Sequence, residues 1–247
     1  MKIIGATVGT TMPRSNLNQT DPKKADYIRG KENLDTTLAT ILKDIEDLKY
    51  EPITVSGFKH DVENAGVLEK GREINAVTLS WVTNKTPVSM TLDGEAVEIP
   101  EGATEFSVPL ELKAGEGITG DKTWIVKAVD ERGAEATDTA SVKFLNGVYY
   151  GSMAYGAAID SAAILSLTKN LQSGKAINFV TPGDGKRPVY ALPSGYGTPI
   201  FKIGGNEYEW EKVADAFQFE NDHGHVESYD VWMHGQNVAD KITVNVT

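Results

Sequence analysis

From Ile53 to Phe144 the chain is written in short alternating runs: "PITVSGF", "AVTLSWVTN", "PVSMTLDGEAVEI", "TEFSVPLEL" and "KTWIVKAVDERGAEATDTASVKF". Gly, Pro, Asn and Asp cut one run from the next. A period of two sends successive side chains to opposite faces of a strand, so each run has one face to bury. Strands of this length are marginal alone and must cover that face with a second layer. About 90 residues organised this way fit a seven-strand sandwich. Trp81 in "LSWV" and Trp124 in "TWIV" are expected in its core. "DERGA", Asp130 to Ala134, reads as a hairpin turn, and Asp93-Gly94 as the tip of another.

A second β-rich unit starts around "FLNGVYYGSMA" and runs to Thr247, with the border placed between 146 and 147. Its expected strands are "AINFVTP", "RPVYALP", "PIFKIGG", "VESYDVWM" and "KITVNVT". "AAIDSAAILSLTKNLQSG" reads either as a helix, from its Ala and Leu, or as a strand with a short helical turn. "TPGDGKRP" lacks the spacing of a phosphate-binding loop and reads as a hairpin turn.

The front of the chain is different. Residues 1–31 are rich in Thr, Asn, Gly and Pro without a sustained period, as in an extended arm that orders against a partner. Residues 32–50 then place Leu34, Leu38, Ile41, Ile45 and Leu48 at intervals of 4, 3, 4 and 3. That is heptad a/d spacing, with Asn33 as the expected N-cap and Pro52 as the stop. Isoleucine at both an a position (Ile45) and a d position (Ile41) favours three strands over two. The alternative is an amphipathic helix packed on its own chain. Two heptads are marginal in water, so flanking contacts must help.

Several function classes drop out on composition. Of 247 residues, 35 are acidic and 24 basic, and the net charge of -11 opposes a phosphate backbone and an anionic membrane surface. There is no cysteine, hence no disulfide and no thiolate metal site. No apolar run approaches the ~20 residues of a membrane span. The opening "MKIIGATVGTTMPR" does not read as a cleaved signal peptide, because Gly and Thr break its apolar stretch. No catalytic set is found: a G-x-S-x-G elbow is lacking, Ser194 in "LPSGYG" stands without one, and Glu207, Glu209 and Glu211 read as a solvated face. The chain is expected to be no enzyme and to use no cofactor.

"MPRSNLNQTDPKKADYIRGK" is similar to the arm of structural proteins from tailed bacteriophages and prophages of Gram-positive bacteria. The matching residues are Asn18, Gln19, Asp21, Pro22, Ala25, Asp26, Tyr27 and Ile28. "EINAVTLSWVTNKTP", "LDG" and "KTWIVKAVDERGAEATDTASVKFLNGVYYG" resemble the Ig-like module of the same appendages. "YALPSGYGTPIFKIGG" with "ESYDVWM" resembles their carboxy-terminal β-domain. What the resemblance implies is a virion protein assembled in the host cytoplasm: a fibre or baseplate-type appendage, of head or tail, whose arm is held by other virion proteins and whose last domain faces outward.

Two sets of residues are candidates for a site. His223 and His225 in "DHGH" would share a side if the stretch were extended, and three copies on an axis would then offer six nitrogens to a metal, as the tips of some phage spikes do. A polar turn carrying two histidines is the competing reading. Tyr196, Tyr208 and Trp210 lie beside Gly-rich loops, where a ring can stack on a host glycan or a protein; core packing is the alternative for each.

The expected architecture is therefore mainly β: arm 1–31, trimerising helix 32–50, Ig-like sandwich 51–146 and C-terminal sandwich 147–247 with an adhesion role. The rival is a bacterial surface protein with Ig-like carbohydrate-binding domains.

Overall fold

The structure, a computed structural model, describes residues 31–113 and 115–247. The arm residues Asn18, Gln19, Asp21, Pro22, Ala25, Asp26, Tyr27 and Ile28 lie outside the described residues. The chain divides into two units, Met1–Pro52 and Ile53–Thr247.

In the first unit, helix α1 (Lys31–Lys49) carries Leu34, Leu38, Ile41 and Ile45 along one stripe, each between 40% and 50% exposed. Leu48 and Leu42 are exposed as well. Asn33 is the third helical residue and not the N-cap expected of it. Lys31 and Glu32 are good helix formers, and they carry the helix past the anticipated start. The helix ends three residues before Pro52, whose ring disfavours helical geometry in the residue ahead of it.

The second unit is mainly β. Its front half holds β1 (Val55–His60), β2 (Val67–Glu69), β3 (Ala76–Thr83), β4 (Ser89–Leu92), β5 (Glu95–Ala96), β6 (Glu105–Glu111), β7 (Lys122–Val129) and β8 (Glu135–Met153). Strands β1, β3 and β6 form one antiparallel sheet. Strands β5, β4, β7 and the first part of β8 follow one another in a second. The two sheets close on one core. Trp81 of β3 stacks on Phe106 of β6 at 5.7 Å and donates through Nε1 to Met90 Sδ of β4 at 3.2 Å. Trp124 is buried beside them, as its alternating run requires.

Both anticipated turns are present. Asp93 and Gly94 link the paired strands β4 and β5. In Asp130–Ala134 the buried Asp130 carboxylate accepts from Arg132 N and Ala134 N at 2.9 Å and from Ile53 N at 3.2 Å, with Lys85 Nζ at 3.0 Å. One carboxylate thus sets a turn and also pins the strand-free segment at Ile53.

Strand β8 is the spine. Its residues 135–142 pair with β7, 143–145 run parallel to β2, and 146–153 continue into the back half. The border expected between 146 and 147 falls inside this strand. Gly147, which looks like punctuation in the sequence, instead makes room for the Tyr149 ring: a Cβ there would lie 2.9 Å from it.

The back half adds α2 (Ser161–Leu165), β9 (Thr168–Gln172), β10 (Ile177–Val180), β11 (Arg187–Pro193), β12 (Phe201–Ile203), β13 (Asn206–Tyr208), β14 (Trp210–Glu220), β15 (Val226–His234) and β16 (Thr243–Val246). "AAIDSAAILSLTKNLQSG" divides into a helical turn and a strand, the helix capped by Asp160, which accepts from Ala163 N at 2.8 Å. The sheet β14-β15-β11-β8 buries both faces. Tyr190 and Leu192, with Trp210 of β14, meet a four-stranded sheet, β10-β16-β12-β13, through Phe179, Phe201 and Val244. Val189, Ala191, Tyr229 and Val231 pack on the other side with Ile164 of α2. "TPGDGKRP" is not a hairpin turn: it joins β10 to β11, which lie in different sheets.

Candidate functional site

The "DHGH" stretch lies between β14 and β15 and is a turn, not a strand. Gly224 N donates to Asn221 O at 3.0 Å and Gly224 has φ +74°. Asn221 Oδ1 accepts from His223 N and His225 N, both at 3.0 Å. Its Nδ2 donates to Lys70 O at 2.7 Å, which seats the turn on the segment after β2. The fit is close. Gly71 has φ +92°, and a Cβ on it would stand 2.9 Å from His225 Cβ and 3.0 Å from His223 Cβ.

The two imidazoles go to different carboxylates. His223 Nε2 is 3.6 Å from Glu69 Oε2, and His225 Nε2 is 3.7 Å from Glu227 Oε2. Glu69 is buried and accepts from Tyr149 OH at 3.0 Å and Lys169 Nζ at 2.6 Å. Burial, then the Glu69 charge, pushes the Tyr149 phenol well above its usual range, so it stays a donor. The side-by-side imidazoles expected of an extended stretch are not formed, because the turn splits them. Among the described residues no group of three His, Asp or Glu is placed to hold a metal. The histidine turn joins the front and back halves of the β unit.

The candidate site is a groove of about 470 Å3 where the chain crosses from β13 to β14, between the four-stranded sheet and the long one. Pro199, Ile200 and Phe201 form one wall, Glu207 to Trp210 the other, and Trp232 of β15 completes it. Tyr208 stands on its rim, 45% exposed. Trp210 is 6% exposed and stacks on Phe201 at 4.0 Å with planes 7° apart, so it is a core residue with one edge at the groove. Neither Trp210 Nε1 nor Trp232 Nε1, both buried, has a hydrogen-bond partner. Buried indole N–H groups normally find one.

Carboxylates dominate the rim. Glu207 and Glu209 line the groove and are exposed, with Lys202 Nζ 3.5 Å from Glu207. Lys212 lies 5.2 Å over the Trp232 ring, but its ammonium is held by Asp215 at 2.7 Å and Asp230 at 2.8 Å.

Of the three aromatics singled out in the sequence, Tyr208 and Trp210 meet in this groove. Tyr196 does not line it: half-buried, it donates its OH to Gln172 O at 2.7 Å. Ile200 and Trp232 were not anticipated as walls. "PIFKIGG" and "VESYDVWM" read as ordinary strands, and only their placement in two facing sheets brings them together.

No protein-family model matches the chain, and no curated protein does. Among solved structures, it is similar to the N-terminal eight Ig domains of Down Syndrome Cell Adhesion Molecule isoform 1.30.30, at 14% identity and a TM-score of 0.21. The match covers 79% of this chain and 26% of that one, so this chain spans about a quarter of its length. A likeness that low carries no argument about fold or function.

Proposed function

We propose that the chain is a structural appendage subunit of a tailed phage or phage-derived particle. It forms a homotrimer through α1, is held to other virion proteins by its N-terminal arm, and presents an Ig-like lobe and a second β lobe to the host surface. The observation that carries this reading is the α1 stripe: Leu34, Leu38, Ile41 and Ile45 at heptad spacing, all 40–50% exposed on a helix of 19 residues. A helix of that length is marginal in water, and apolar residues at a and d are covered by further copies of the same helix. Isoleucine at both position types selects three copies, and a closed cyclic trimer suits an appendage on a symmetric particle. The arm motif Asn18, Gln19, Asp21, Pro22, Asp26 and Tyr27 supports the virion assignment through its resemblance to phage arms.

The test is localisation on purified particles. Antibody against the β unit labels particles at a symmetric position, and removing residues 1–29 leaves a folded protein that no longer joins them. A protein found only free of particles, with and without its arm, contradicts the reading.

A further inference from the structure

We propose that Arg187 and Tyr155 form a binding site for a singly charged oxyanion, a carboxylate or a phosphodiester group. Arg187 opens β11 and pairs across the sheet with Met153, the last residue of β8. The turn after β8, closed by Ala157 N donating to Ala154 O at 3.1 Å, carries Tyr155. The Tyr155 ring centroid stands 3.7 Å from the guanidinium carbon, and the ring is itself 66% exposed. One face of a half-buried cation is thus covered by a π surface that attracts it. Arg187 has no counter-ion within the chain. Acids outnumber bases 35 to 24, yet no carboxylate among the described residues pairs with it, and its side chain donates no hydrogen bond to them. Arg72, by contrast, is held by Glu63. Asp184, three residues ahead of Arg187, is already engaged: it accepts from Ser152 Oγ at 2.8 Å and Lys186 N at 3.2 Å, with Lys186 Nζ at 3.2 Å.

Arg187 Nε is buried, so a ligand does not reach it; the two terminal nitrogens are unpaired and open to solvent. In one plane, they match the paired oxygens of a carboxylate or the two free oxygens of a phosphodiester. Tyr155 holds that plane, so less side-chain freedom is lost when an anion docks. Charge sets the class. The site supplies one positive charge on a chain of net charge -11, which matches a single anion and repels a dense polyanion. An amine is repelled by the guanidinium, and a neutral sugar forgoes the ionic share of the bond. One such pair at the surface is weak, with a dissociation constant on the order of 10 mM. The site is complete in each chain and uses nothing of α1.

The buried Nε–H of Arg187 is a direct probe, because burial slows its exchange with water and sets its signal apart in a nitrogen–proton correlation spectrum. Its loss in Arg187→Lys identifies it. The full chain is titrated with glucuronate and with dimethyl phosphate, which separate the two sources of the oxyanion. Methyl glucoside and potassium chloride at matched ionic strength are the controls. At least one of the two anions shifts the Arg187 signal and the backbone amides of 153 and 187 in a saturable manner, and neither control does. Tyr155→Ala raises the dissociation constant about threefold, as expected for loss of the ring behind the cation, and Tyr155→Phe leaves it unchanged. Tyr155 is exposed, so neither change threatens the core. Arg187→Lys, followed by the same backbone amides, keeps the charge but loses the fork and binds at least tenfold more weakly. The Ile41→Asp/Ile45→Asp protein binds as the parent does, which separates failure of this site from failure of the trimer. The proposal is overturned if neither anion moves the Arg187 signal beyond chloride, if methyl glucoside moves it equally, or if Arg187→Lys or Tyr155→Ala binds as tightly as the parent.

Discussion

Asp230 shows how one buried carboxylate can fix a local irregularity. It accepts from Ser194 Oγ at 2.7 Å, Lys212 Nζ at 2.8 Å and Ala216 N at 3.0 Å. Ala216 has φ +48°, a left-handed conformation that costs a non-glycine residue roughly 1–2 kcal/mol. The bond to Asp230 helps hold it there, inside the second of two register shifts in the β14–β15 pairing, between Ala214 and Phe217. Burial pushes the Asp230 carboxyl up, but hydrogen bonds from Lys212, Ser194 and Ala216 outweigh it and hold the group below its ordinary 3.8. The folded chain therefore binds this proton less readily than the unfolded chain. The stabilisation is present above the unfolded value and is lost as pH falls through the folded one. Asp230→Asn is expected to lose about 2 kcal/mol at neutral pH. The gap from the parent should close as pH drops below about 4, measured by urea unfolding across pH. A gap that stays constant to acid pH would mean that the charge contributes nothing.

At the scale of elements, the histidine turn and the segment after β2 are locked by proximity. Gly71 combines φ +92° with a Cβ position 2.9–3.1 Å from His225 Cβ, His223 Cβ and His223 O. Gly94, at the β4–β5 tip, has φ +90° but nothing within 4 Å. Gly94→Ala therefore meets only the backbone penalty, about 1 kcal/mol, whereas Gly71→Ala must also displace the turn and should lose about 2–4 kcal/mol. Equal losses in thermal or urea unfolding would show that the turn is not seated on Gly71. The contrast also explains what the sequence could reveal. The hairpin at Asp93-Gly94 is local: its turn residues and flanking alternation are adjacent in the chain. The docking of "DHGH" on Gly71 spans about 150 residues and leaves no periodic trace. Strand β14 escaped notice for another reason, since its two register shifts break the alternation of "EWEKVADAFQFE". Half of the groove was legible as aromatics beside glycines, and the other half came only from two strands in facing sheets.

At the scale of the whole molecule, β8 decides the organisation of the β unit. Nineteen residues run through both halves without a break, so the second unit is one body from Ile53 to Thr247. Alternation alone could not reveal this, because "FLNGVYYGSMA" reads as the start of a second β unit and not as the continuation of the strand before it. The α1 heptads are the opposite case: five residues sufficed to place the helix, and its apolar stripe is exposed in the single chain. The central claim is that copies of α1 cover one another. Light scattering on the full chain at micromolar concentration tests it most directly. The parent should have about three times the chain mass. Ile41→Asp/Ile45→Asp would bury six carboxylates on the trimer axis, at several kcal/mol per unpaired ion, and should fall to the mass of one chain with its near-ultraviolet signal from the β unit unchanged. A parent that is monomeric, or a double variant that keeps the mass of three chains, would contradict the account.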